Sequence, residues 1–422
     1  MRSGPGFMWY KGGVKPWGAS LLLLVLGIGV AAARAEQGAD PLGRVLALPP
    51  RPGPHWIWVS DLVLQRTALF DTDTGNMLGM LSAGMGIVAP LYSPDHREIY
   101  LAETYYSRGT RGERTDVVTV YDASSLLPTA EIPLPPKRAD HASGVASNAI
   151  TDDGRFLAVF NLTPATSLSV VDLAARQLSA EIATPGCSLV YPAGARRFLM
   201  LCADGSMLSV TIDDAGHEKS KQRTAPFFDP NADPVTEKAA RAETLWLFVS
   251  FAGVIHPVDF SSDPPSFGPT WSIVSDEDKR ASWRIGGTQQ LTAHTSSGRL
   301  YALMHRGGKD THKDPGTEIW VFDLATHARL QRIALRSPLA GFLRRQLGLA
   351  NEGFAARVAS WLLSVVLPNP GVDRILVTQD DAPVLVTGTT FPSTLEVHDG
   401  RSGALLRDVA EVGVAGSVIA AP

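Results

Sequence analysis

Leu69-Phe70-Asp71, Val120-Tyr121-Asp122, Val170-Val171-Asp172, Thr211-Ile212-Asp213, Pro257-Val258-Asp259, Val321-Phe322-Asp323 and Val397-His398-Asp399 are seven versions of one phrase. Each is an apolar run, an Asp, a turn and a second apolar run. The Asp-to-Asp steps are 51, 50, 41, 46, 64 and 76 residues. A period near 50 built from strand and turn signals alone marks a β-propeller, one repeat to a blade. The fold class predicted is therefore all-β, a seven-bladed β-propeller. A second phrase interleaves with the first. Ser93-Pro94-Asp95, Thr151-Asp152-Asp153-Gly154 and Ser296-Ser297-Gly298 each precede an apolar strand. Asp/Gly pairs supply the backbone that tight hairpins need. The seven repeating Asp side chains are read as turn caps rather than catalysts.

The ends of the chain predict ring closure. The first repeat starts at His55-Trp56-Ile57-Trp58-Val59 without an inner strand before it. The last segment, Gly413 to Ala420, has no outer strands after it. It is expected to join the first blade as its inner strand, which removes an exposed edge. The longest step contains about 30 extra residues between Ile333 and Val384. There Phe342, Leu343, Leu347, Phe354, Val358, Trp361, Leu362, Val365 and Val366 recur at helical spacing, up to Pro368. A helical insertion over 337–368 in the last blade is expected. Three readings stand for it: an accessory element on the rim, a partner-docking surface, or an interfacial membrane contact.

Upstream of the repeats lies a targeting pattern. Arg2, Lys11 and Lys15 form a basic start, Leu21 to Ala33 an apolar stretch, and Ala33-Arg34-Ala35 an A-x-A cleavage signal. The apolar stretch is shorter than the roughly 20 residues a spanning helix needs. The expectation is a signal peptide over 1–35, cleavage near Ala35, a periplasmic location and no stable membrane span. Residues 36–54 read as an extended N-terminal arm and 55–422 as the propeller. Removing four bases and no acids takes the formal net charge from −4 to −8. Such acidity argues against nucleic acid as a partner. The two cysteines, Cys187 and Cys202, pair most simply as one disulfide in an oxidising compartment, with two buried thiols as the alternative. The bridge would close a loop with 14 residues inside and tie two neighbouring strands of one blade.

No metal, phosphate-binding or serine-hydrolase motif is present in the sequence. His305 and His312 share a polar loop with Lys309, Asp310 and Lys313 but match no metal spacing. Two classes remain: a ring face that holds a small ligand, or a scaffold for a catalytic partner.

One stretch is more specific. Arg111-Gly112-Glu113-Arg114-Thr115-Asp116 leads into Val117 to Asp122 and then Leu126 to Pro135. It resembles the heavy (alpha) subunit of methylamine dehydrogenase and of aromatic amine dehydrogenase. Trp283-Arg284-Ile285-Gly286-Gly287-Thr288-Gln289-Gln290, and His305 to Lys313 followed by Ile319 to Asp323, resemble further stretches of that family. The resemblance implies a periplasmic assembly of two heavy and two light chains. It places tryptophan tryptophylquinone on the light (beta) subunit, with no cofactor, metal or catalytic residue on this chain. A primary amine would become an aldehyde and ammonia, with electrons passing to a blue-copper protein such as amicyanin or azurin. One site residue carries over. The family's aromatic wall of the substrate channel falls in Ala83-Gly84-Met85-Gly86-Ile87-Val88-Ala89-Pro90, at Met85, with Gly86 or Ile87 as alternatives. The competing reading is a stand-alone periplasmic β-propeller, either a lactonase-like hydrolase or a ligand-binding protein.

Overall fold

A computed structural model describes residues 47–141, 145–346, 358, 362, 366–409 and 412–422. The expected signal segment and the start of the arm lie outside the described residues. So does most of the expected insertion.

The repeating phrase becomes seven antiparallel sheets of four or five strands, the seven blades of a β-propeller. In the first blade the outer strand Met77–Ser82 pairs with Arg66–Asp71, and that strand with Trp56–Asp61. The innermost strand is Gly416–Ala420, from the far end of the chain. Trp58 faces Ala420, Val59 faces Ile419 and Ser60 faces Val418, so the ring closes as the sequence predicts. The fifth blade gains a short strand, Trp271–Ser272, and the inner strand of the sixth is split into Trp283–Ile285 and Leu291–His294. Successive blades pack face to face. Trp58, Leu69 and Leu81 of the first share a buried cluster with Ile99, Leu101 and Tyr121 of the second.

All seven repeating Asp residues close the third strand of their blade or follow it by one residue, and all seven cap the next turn. Asp71 accepts the N–H of Asp73, Asp122 those of Ser124 and Ser125, and Asp172 that of Ala175. Asp213, Asp259, Asp323 and Asp399 accept the equivalent amides. The Ser124 and Ser125 hydroxyls and amides pull the Asp122 carboxyl down to about 2. A left-handed residue ends these turns in six blades. Three are glycines, and three are Leu126, Arg176 and His327. Each of the three non-glycines holds that disfavoured backbone by reaching the preceding blade. Leu126 fills the space above Gly79, Arg176 pairs with Glu98 at 2.5 Å, and His327 stacks on Trp271 with centroids 4.6 Å apart.

Cys187 and Cys202 face each other on the first two strands of the fourth blade and form the expected disulfide. Their amides bond Thr184 O and Ser206 O rather than one another. This makes them a non-hydrogen-bonded pair, the closer of the two cross-strand spacings. A helix, Pro338–Gln346, lies in the connection from the sixth blade's outer strand to the seventh's inner strand. Among the described residues no helix is long and apolar enough to cross a membrane.

Candidate functional site

Antiparallel strands give the ring two unlike faces. One carries the hairpins between first and second strands and the Asp-capped turns between third and fourth. The other carries the blade-to-blade connections and the loops between second and third strands. The Met85 segment, the Arg111–Asp116 segment and the Pro338–Gln346 helix all belong to this second face.

Its side chains differ in character from those of the turn face. Leu62, Val63 and Leu64 top the first blade and are exposed, Val63 by 59%. Phe391 and Val414 of the seventh blade and its closing connection, and Val145 and Leu162 at the third blade, are exposed on the same face. On the turn face the only large apolar side chain exposed among the described residues is Leu127. Exposed apolar groups gathered on one face mark an interaction surface.

Met85 sits half-buried within this apolar face, and its backbone is clamped on both sides. The Met85 amide donates to Thr104 O at 2.7 Å and the Ile87 amide to Asp140 O at 2.8 Å. The Gly84 amide donates to Glu103 Oε1 at 3.1 Å. Neither flanking glycine tolerates a side chain. A Cβ on Gly84 would lie 2.5 Å from Thr104 O, and one on Gly86, at φ +97°, 1.9 Å from Asp140 O. Met85 and Ile87 are thus the positions here at which a side chain can form a wall, and Gly86 is not.

Beneath the loop lies a buried charge network. The Glu103 carboxylate is fully buried and accepts the Thr119 hydroxyl, and burial pushes its pKa up. Arg114 grips Asp116 with two bonds of 2.9 Å and donates to Arg138 O at 2.6 Å. Asp116 also accepts the Thr104 hydroxyl and the Arg138 amide. Arg114 and Asp116 of the Arg111–Asp116 motif therefore join the second blade to the connection that follows it, and so fix the Met85 clamp. Burial lowers the Arg138 pKa, and its Nε and Nη2 have no hydrogen-bond partner among the described residues. Glu103 and Arg138 were missed in the sequence. The signal for Glu103 was a lone acid at the end of the apolar run Ile99 to Ala102.

The other two resembling stretches are placed elsewhere. Gln289 reaches the first blade's closing strand, where its Nε2 donates to Ile419 O at 2.9 Å and its Oε1 accepts the Ile419 N–H at 3.3 Å. His305 bonds the Thr311 hydroxyl at 2.8 Å, and His312 stacks on Phe251. They do not converge, and no cluster of three potential metal ligands occurs among the described residues.

These features define a class: seven-bladed propellers with one turn-capped polar face and one apolar face of long connections. The chain belongs to the methylamine dehydrogenase heavy chain (MADH) family, whose sequence pattern matches residues 60–343. It is 27% identical over 353 residues to the methylamine dehydrogenase heavy chain of Methylorubrum extorquens, covering 83% of this chain and 78% of that one. With that of Paracoccus versutus it shares 26% over 370 residues, covering 86% and 78%. Solved structures share the fold alone. A dihydro-heme d1 dehydrogenase has a TM-score of 0.52 at 16% identity, covering 88% of this chain and 76% of that one. A functionally unknown protein from Desulfotomaculum acetoxidans has 0.55 at 13%, covering 87% and 98%.

Proposed function

We propose that this chain is the scaffold subunit of a periplasmic quinoprotein amine dehydrogenase, exported by the 1–35 segment. Two such chains would hold two light subunits, each carrying tryptophan tryptophylquinone. The observation that carries the reading, beside family membership, is a clamped, half-buried Met85 set within an apolar face. The quinone, when bound on the partner, supplies the two-electron oxidation. A primary amine and water become an aldehyde, ammonia, two protons and two electrons, and the electrons leave to a blue-copper protein. This chain's own residues do the rest. The apolar loops bury against the light subunit and exclude water from the junction. Met85 closes one side of the substrate channel with a flexible thioether in place of a rigid ring. Gly84, Gly86, Glu103 and Asp140 keep that wall in place.

The test is turnover of methylamine and of longer amines by the assembled Met85→Phe enzyme. Relative rates should shift between short and long amines. Identical ratios in the variant and the parent would remove Met85 from the channel.

A further inference from the structure

The hairpins between first and second strands follow one rule in three blades. A hydroxyl opens the turn and donates to an Asp two residues on: Ser93 to Asp95, Thr151 to Asp153 and Thr378 to Asp380, each at 2.7 Å. That Asp then accepts a turn amide. The sixth blade departs from the rule. Its hairpin, His294 to Arg299, has a base where the others have the hydroxyl, and it has no acid. His294 is 3% exposed, and its Nδ1 lies 2.7 Å from the Oγ of exposed Ser297. Its Nε2 lies 3.0 Å from Asp380 O, on the seventh blade's hairpin. A carbonyl only accepts, so Nε2 carries the ring proton and Nδ1 accepts the Ser297 hydroxyl. Hydroxyl, base and orienting carbonyl thus stand in one chain, the arrangement that activates a nucleophile.

The backbone on both sides of His294 is held by one side chain. Gln379 Nε2 donates to Ala293 O at 2.8 Å, and its Oε1 accepts the Thr295 amide at 3.1 Å. His294 and Ser297 line a cleft of about 430 Å³ between the sixth and seventh blades, together with Arg299, Arg401 and Asp381. The third blade shows what such an arginine does elsewhere. Arg155 follows Gly154 at the end of its hairpin and pairs with that blade's cap, Asp172, at 2.8 Å. Arg299 follows Gly298 at the same place and stands opposite its own cap, Asp323. Its guanidinium instead crosses to Arg401 O at 3.4 Å, and that of Arg401 donates to Asp381 O. Among the described residues neither guanidinium comes within 4.0 Å of a carboxylate, Asp381 included. Two unneutralised positive charges therefore share the cleft with the Ser297 hydroxyl.

We infer that Ser297 is a nucleophile that cleaves small esters bearing a carboxylate, with His294 as its base. Ser297 Oγ bonds the acyl carbon, and its proton passes to His294 Nδ1. The bond to the alcohol oxygen breaks, and His294 returns the proton to that oxygen. Water then attacks the acyl-serine by the same path and frees the acid, so ester and water become acid and alcohol. Arg299 and Arg401 draw the substrate's carboxylate into the cleft. The cleft opens among the hairpins and capped turns, on the face away from Met85. The inference goes beyond the amine-dehydrogenase reading and stands with or without it.

The full mature chain, treated with a fluorophosphonate probe and assayed separately with p-nitrophenyl acetate and mono-p-nitrophenyl succinate, tests it. Digestion and mass spectrometry should place the phosphonyl label on Ser297. Ser297→Ala should lose both the label and ester turnover, with unchanged melting. His294→Gln should slow both by about 100-fold or more. Arg401→Ala should raise KM for the succinate ester about tenfold and leave that for the acetate ester unchanged. No label on Ser297, turnover that survives Ser297→Ala, or an undiminished rate in a folded His294→Gln would overturn the inference. An unchanged KM for the succinate ester in Arg401→Ala would overturn the substrate class. Should His294→Gln fail to fold, the position of the wild-type label and the turnover of Ser297→Ala, altered only at an exposed side chain, decide the matter.

Discussion

Replacing Asp61 by Asn should loosen the ring at its seam. Asp61 ends the first blade's second strand and is almost fully buried. Its Oδ1 accepts the amides of Val63 and Leu64 at 2.9 and 2.8 Å. Its Oδ2 accepts those of Val414 and Ala415, from 353 residues further along, at 2.5 and 3.0 Å. One carboxylate thus ties the blade's own turn to the segment that closes the ring. Burial works to raise its pKa, and the four amides outweigh it and hold the carboxyl below the ordinary 3.8. Asn keeps one accepting oxygen, so at least two of the four bonds go. A hydrogen bond to a charged acceptor contributes about 1.5–3 kcal/mol, which puts the loss at about 3 kcal/mol or more. Urea unfolding followed by near-ultraviolet circular dichroism measures it, and amide exchange at Val414 and Ala415 localises it. The folded pKa is depressed, so the wild-type contribution is present above 3.8 and fades as pH falls through the folded value. The variant should lack that acid limb. A loss under about 1 kcal/mol, with unchanged exchange at Val414 and Ala415, would refute the reasoning, since it lies below what even one such bond contributes.

Other consequences are as direct. Removing the disulfide by Cys187→Ala with Cys202→Ala should cost about 3 kcal/mol in denaturant unfolding, from the short loop it closes. Gly86→Ala forces a left-handed alanine whose Cβ meets Asp140 O, so the Met85 loop must shift. Its thermal stability should fall by about 1–3 kcal/mol, and its amine preference should change along with it. His55 lies 2.8 Å from Asp73 and 3.2 Å from Asp380, bridging the first and seventh blades. Burial opposes its charge, but the two carboxylates raise its pKa above 6.5. Its contribution is full below 6.5 and fades as pH rises through the folded value, so His55→Gln should flatten stability between neutral and alkaline pH. Deleting 337–368 should leave the propeller folded by circular dichroism while altering subunit assembly or acceptor reduction.

The parts of the fold legible in the sequence are those fixed by local chemistry. An Asp followed by turn residues announces its own cap, and seven repeats announce a ring. The left-handed positions at Leu126, Arg176 and His327 carry no glycine, because each is held by a contact to the blade before it. Asp61 reads as one more turn residue, since its decisive partners, Val414 and Ala415, are remote in sequence. The same holds at the candidate site. The Gly84-Met85-Gly86 phrase located the loop, but which of the positions could bear a wall residue depended on Thr104 O and Asp140 O. Arg114 and Asp116 stood out as a motif, and their job proved to be cross-linking the scaffold. The two-residue match between Gln289 and the Ile419 backbone spans the ring and leaves no local trace.

The central claim is that this chain serves as scaffold for a quinone-bearing light subunit. Purification of the intact protein from its native host, with absorption spectra and mass spectrometry of every chain recovered, tests it most directly. The account predicts co-isolation of a small subunit with quinone absorption that bleaches on adding a primary amine. Recovery of this chain alone, with no quinone-bearing companion and no amine-dependent bleaching, would contradict it.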